Sequence, residues 1–127
     1  MSNPRHRLNR DERGFTLIEL LVVIIILGVL LAIAIPSYLT FRSRANTSAA
    51  QANVRAAVPG MEAYNVDHNT GYAGVNLAKL QASYDAGIKN VTVRAATAGG
   101  YCIQNTSPTT ATYHKSGPSG DIKSGAC

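Results

Sequence analysis

Residues 14–36, GFTLIELLVVIIILGVLLAIAIP, decide the architecture. Between Phe15 and Ile35, 18 of the 21 residues are apolar, the exceptions being Thr16, Glu19 and Gly28. At about 1.5 Å per residue a helix over that run is roughly 30 Å long, which matches a bilayer core. The residues before it include Arg5, Arg7, Arg10 and Arg13 against Asp11 and Glu12. An excess of arginine beside an apolar span holds that flank on the cytoplasmic side. The chain therefore divides into a leader (1–14), an apolar span (15–36) and a remainder (37–127). That remainder holds thirteen Val, Ile, Leu and Met against sixteen Ala. So few large aliphatics build only a thin core, which needs help from a long helix, a disulfide or neighbouring subunits.

Three roles compete for the span: a cleavable secretory signal, a permanent single-pass anchor and the stem of a filament subunit. Ala32-Ile33-Ala34 matches a signal-peptidase pattern, and cleavage there would release a soluble protein starting near Ile35. Glu19 argues against that role, since a carboxylate at mid-bilayer costs about 2.5–3.5 kcal/mol and calls for a cationic partner. A cut between Gly14 and Phe15 would supply one. The new amine at Phe15 lies one helical turn from Glu19, at the helix end where negative side chains are favoured. The same pairing between subunits would penalise any copy whose Glu19 finds no amine.

Gly14-Phe15-Thr16-Leu17-Ile18-Glu19, with the short basic leader before it and the apolar run to Pro36 after it, resembles the prepilin cleavage motif of type IV pilins and of the related type II secretion pseudopilins. The resemblance implies a prepilin peptidase that cuts after Gly14 and methylates the Phe15 amine, with Glu19 steering assembly. It implies storage in the inner membrane, an assembly platform there, and export as a homopolymeric surface filament. It also implies that the stretch from Gly28 to Pro36 loses helical order in that filament. The residues support a weak point there independently. Glycine lowers helix propensity by about 1 kcal/mol, and Pro36 lacks the N–H that would reach the Ala32 carbonyl.

After Pro36 the helical period continues. Tyr38, Phe41, Ala45, Ala49, Ala52, Ala56 and Ala63 define one face, with Arg44, Gln51, Arg55 and Glu62 as a polar stripe beside it. Ala50, Val54, Ala57, Val58 and Met61 form a second apolar face roughly opposite the alanines. Burial on two faces is expected, one against the chain's own head and one against a neighbour. Pro59-Gly60 should end or kink the helix unless packing carries it on to about Asp67.

His68–Asn90 reads as a long surface connection with a short helix-like piece at Leu77–Tyr84. Alternation then predicts three antiparallel strands, Val91–Ala95, Tyr101–Asn105 and Thr110–His114, followed by a turn-rich tail. The expected class is α+β, a long N-terminal helix packed on a three- or four-stranded antiparallel sheet. Cys102 and Cys127 are too far apart for a CxxC redox or zinc motif. They either pair or stay as free thiols. In an exported chain pairing is favoured and would tie the tail to a central strand. Their spacing also resembles the disulfide-bounded C-terminal region of many type IV pilins, whereas major pseudopilins often use calcium instead, which tilts the expectation toward a pilus.

No catalytic constellation, nucleotide loop or metal-ligand set occurs, so no enzyme and no cofactor are expected. His68, between Asp67 and Asn69, reads as part of a polar turn. The formal charge is +5, but four of the basic residues sit in the leader and the rest are spread out, so nucleic acid is a minor alternative as partner. Asn46, Asn90 and Asn105 each begin a glycosylation-type triplet.

Overall fold

The computed structural model describes Gly14, residues 16–108 and residues 110–127. Helix α1 spans Leu17–Asp67, and the chain falls into two compact units that divide within it, one ending at Thr40 and the other comprising Phe41–Cys127. In the first unit the apolar side chains stand exposed along the whole span. It is the one segment among the described residues that is long and apolar enough to cross a membrane. Gly28 and Pro36 lie inside unbroken helix, and the Thr40 hydroxyl donates to the Pro36 carbonyl at 3.1 Å. A signal-peptidase cut after Ala34 would fall in the middle of this helix.

In the second unit α1 is followed by α2 (Leu77–Ser83), β1 (Val91–Ala96), β2 (Tyr101–Asn105), β3 (Tyr113–Gly117) and β4 (Ile122–Ser124). The four strands form an antiparallel meander in chain order. The pairs Val91↔Asn105, Val93↔Ile103, Ile103↔Lys115 and Lys115↔Ile122 put one row of side chains on the inner face. Val54, Ala57, Met61 and Tyr64 of α1 meet Val91, Tyr101 and Ile103 of the sheet in a single core.

Two expectations need correction. The connection after α1 is not merely a surface wrap, because Tyr72, Val75, Leu80 and Ile88 are buried in that core. The third strand starts at Tyr113 rather than Thr110. Buried Asn105 is the reason. Its amide nitrogen donates to the Ala111 carbonyl at 2.8 Å and its oxygen accepts from the Tyr113 N–H. One side chain thus ties Ala111 and Tyr113 together and keeps residues 110–112 out of the strand. A fourth strand, β4, lies in the tail that composition alone marks as turns. It is short and mostly polar, and alternation over three residues carries no signal.

Helix α1 also runs straight through Pro59-Gly60 to Asp67. Gly60 is buried there, and a Cβ on it would stand 2.9 Å from Ile88 Cδ1. Close packing against Leu80 and Ile88 favours a glycine there and offsets its poor propensity.

A second glycine is held tighter still. Gly117 ends β3 directly opposite Tyr101, and a Cβ there would overlap Cζ and Cε1 of the Tyr101 ring. That ring is buried and packs edge-on against Tyr72, centroids 4.8 Å apart. Gly117→Ala is therefore expected to destabilise the chain by about 1–3 kcal/mol. Thermal unfolding of the full chain in detergent checks it, and an unchanged midpoint would refute the overlap.

Candidate functional site

The candidate assembly site lies at the first turn of α1. Thr16 precedes the helix and its hydroxyl oxygen accepts from the Glu19 N–H at 3.3 Å, while Glu19 Oε2 accepts from the Thr16 N–H at 3.1 Å. The Thr16 carbonyl accepts the Leu20 N–H. This reciprocal arrangement is a capping box, which satisfies two helix-end donors that lipid could not. Glu19 thus has a role within the isolated chain that needs no cationic partner. The signal was present in the sequence, since Thr16-Leu17-Ile18-Glu19 has the Thr-x-x-Glu spacing of such a box. Phe15, the expected amine donor and methylation site, lies outside the described residues. Gly14, before it, is exposed.

In the second unit α1 buries one of its two apolar faces. Ala50, Val54, Ala57 and Met61 are fully covered. Val58, on the same face, is half-buried, whereas Phe41, Ala45, Ala49, Ala52 and Ala56 are exposed. Among the described residues nothing covers the alanine face from Phe41 to Ala56, while Ala63 farther along it is half-buried, so the expected burial on both sides is met fully on one side only.

The tail is fastened to the outer face of the sheet. Cys102 and Cys127 are bonded, with Cα atoms 6.0 Å apart. The Cys127 N–H donates to Gln104 Oε1 at 3.1 Å and the Gly125 N–H to the Thr112 carbonyl at 2.8 Å. His114 Nδ1 lies 2.9 Å from the Gly125 carbonyl, which it reaches as a donor.

The remaining polar groups of the head read as structural. His68 stacks on Tyr64 with ring centroids 3.9 Å apart and its Nδ1 meets the Tyr64 carbonyl. Among the described residues no cluster of three metal-ligating side chains forms around it or elsewhere. Asn105, with its amide buried and committed on both sides, is not an open acceptor for a glycan. Tyr72 donates to Glu62 at 2.9 Å, and burial, then that hydrogen bond, raises the Tyr72 pKa above its ordinary value. Burial, reinforced by the nearby Glu62 charge, pushes Tyr101 far higher. Among the described residues the buried Tyr101 hydroxyl has no hydrogen-bond partner. Tyr101→Phe removes that orphan and is expected to raise stability by about 1 kcal/mol, measured as a higher urea midpoint. A lower midpoint would mean that the hydroxyl is satisfied after all.

Comparison with known proteins places these features. The prokaryotic N-terminal methylation motif matches residues 9–35. The type IV wide pilus major component PilA4 of Thermus thermophilus is 38% identical over 96 residues, which cover 74% of this chain and 72% of the relative. The chain belongs to the type IV pilin family. This pilin is also 50% identical over 50 residues to the type IV major pilin protein PilA of Myxococcus xanthus, a match covering 39% of this chain and 23% of the relative. The type II secretion system core protein G of Pseudomonas aeruginosa is 34% identical over 59 residues, 46% of this chain and 42% of that protein. No solved structure matches the chain.

Proposed function

We propose that this pilin is the structural subunit of a type IV pilus. The precursor sits in the inner membrane through residues 15–36, is cut between Gly14 and Phe15 by prepilin peptidase and methylated on the Phe15 amine, and is polymerised by an inner-membrane assembly platform into a helical surface filament. The observation that supports this most is the stem: an apolar helix exposed on every side, with a single carboxylate in its first turn, on a chain whose head closes its own core. Such a surface is stable in lipid or in a bundle of like stems, and growth transfers it from one to the other. Glu19 then sets register, because a stem whose carboxylate finds no Phe15 amine carries an uncompensated charge into an apolar bundle. Gly28 and Pro36 mark where the stem unwinds to fit the filament.

A second reading is a type II secretion pseudopilin, supported by the 34% identity to core protein G. The Cys102–Cys127 bridge favours the pilus. Intact-mass and peptide mass spectrometry of the exported chain tests the common core of both. A mature chain starting at Phe15 with one added methyl is expected. A chain starting near Ile35 would lack Glu19 and the stem and would end the filament reading.

A further inference from the structure

In the second unit the exposed ridge of α1 has two unlike flanks. Pro59 stands on that ridge and lines a groove on each side of it. The groove toward α2 ends at Tyr84 and Asp85. The groove toward β4 is open, has a volume of about 560 Å³ and is lined by Arg55, Val58, Pro59, Lys115, Asp121 and Ile122. The helical rotation agrees with this division. With Pro59 as zero, Gly60 lies about 100° to one side and Val58 about 100° to the other. The sheet repeats it, with β1 beside α2 at one edge and β4 at the other.

The groove toward β4 has an apolar floor of Val58, Pro59 and Ile122 and carries two cations against one carboxylate. The Lys115 ammonium donates to the Gly120 carbonyl, and Arg55 is exposed. The opposite edge of the head carries the complement. Between α2 and β1 the turn Asp85-Ala86-Gly87 stands exposed. Asp85 Oδ1 accepts from the Gly87 N–H at 2.8 Å, which leaves Oδ2 and the charge for a partner outside the turn. We propose that the Asp85–Gly87 turn of a second copy of this chain docks in the Arg55–Lys115 groove, with its Asp85 carboxylate paired to the Arg55 guanidinium.

Turn and groove belong to opposite edges of the sheet. Two copies standing side by side, with their ridges facing the same way, therefore set the turn of one against the groove of the other. Neither copy is turned over. The first copy keeps its turn free and the second keeps its groove free, so further copies add in the same manner and the contact is heterologous. Because Pro59 lines the grooves on both flanks, the partners meet at a similar height on α1. The contact lies within the heads and leaves the exposed alanines of the ridge uncovered. Asp121 comes from the β3–β4 connection and Arg55 from α1, so an entering carboxylate is drawn to the helix side of the groove and repelled from the other. A guanidinium suits that carboxylate because its planar fork matches the two oxygens. The inference rests on the filament reading and adds to it which edges of the head meet.

Filaments sheared from cells expressing the full chain provide the test. Arg55→Asp and Asp85→Arg should each lower filament yield about tenfold, and the double variant should restore it to within about threefold of wild type. Asp85→Asn keeps the oxygen that accepts from Gly87 and removes only the charge, so it should also lower the yield. In Ala86→Cys/Asp121→Cys a short thiol crosslinker is expected to give a ladder of dimers, trimers and larger species. The two cysteines stand at opposite edges of one chain and meet only between copies, so either alone gives no ladder. Filaments without a ladder would overturn the docking, and this arm decides even where a charge-reversed head misfolds, because Arg55 and Asp85 are intact in it. Normal yield from Arg55→Asp would also overturn it. So would a double variant that stays defective although both single variants are processed and abundant in the membrane. A wild-type chain that forms no filaments at all would remove the filament reading and the docking with it, a result distinguishable from the others by microscopy alone.

Discussion

Glu19→Ala leaves a chain that enters the membrane and is processed normally but yields filaments reduced about a hundredfold or more. The magnitude follows from breaking an ion pair in an apolar setting, about 3–5 kcal/mol at each subunit contact. The capping box complicates the reading of that one variant. Removing the carboxylate also strips the Thr16 N–H of its acceptor, a loss of about 0.5–2 kcal/mol at the helix start. Glu19→Gln separates the two roles, because glutamine completes a capping box and carries no charge. If charge steers assembly, the glutamine variant fails as the alanine variant does. Normal filament yield from the glutamine variant, with the alanine variant defective, would assign the residue to helix capping. Normal yield from both would dismiss it from assembly. Quantitative microscopy of sheared filaments, set against the membrane pool of mature subunit, gives the answer.

The second large effect is expected from Cys102→Ser/Cys127→Ser. The bond closes a sequence separation of 25 residues, and in the chain-entropy model such a loop contributes about 3.5 kcal/mol. A head with so few large aliphatics has little to spare. At about 4–8 °C per kcal/mol for a domain of this size, the midpoint falls by roughly 15–25 °C. The hydrogen bonds of Cys127, Gly125 and His114 to the outer sheet face stay available in the variant but weaken once the chain end is free. Thermal unfolding of the full chain in detergent measures the shift. A change below a few degrees would show that those bonds hold the tail unaided.

Most of the scaffold was legible in the residues because its signals are local and repeated. The apolar run, the helical period to Asp67 and the alternation at Tyr101–Asn105 each extend over several residues and coincide with observed elements. The misreadings arose where a single long-range contact overrides local preference. Asn105 moves the start of β3 by three residues through its bonds to Ala111 and Tyr113. Gly60 carries α1 past a proline because Leu80 and Ile88 occupy the space of its side chain. Tyr72 and Val75 look like loop residues because their burial depends on a core assembled from distant segments. At the candidate assembly site the Thr16–Glu19 spacing is legible in the sequence, but a carboxylate in an apolar run signals charge pairing more strongly than capping.

Because the sheet pairs its strands in chain order, the head is completed from one side toward the other as the polypeptide is made. The open edge of β3 is covered only once β4, Ile122–Ser124, has paired with it. A chain cut before Ile122 presents the longer edge of β3, Tyr113–Gly117, as a template for sticking to other chains. The meander thus ends on an edge of three residues in place of one of five, and a shorter edge offers less backbone for another chain to pair with.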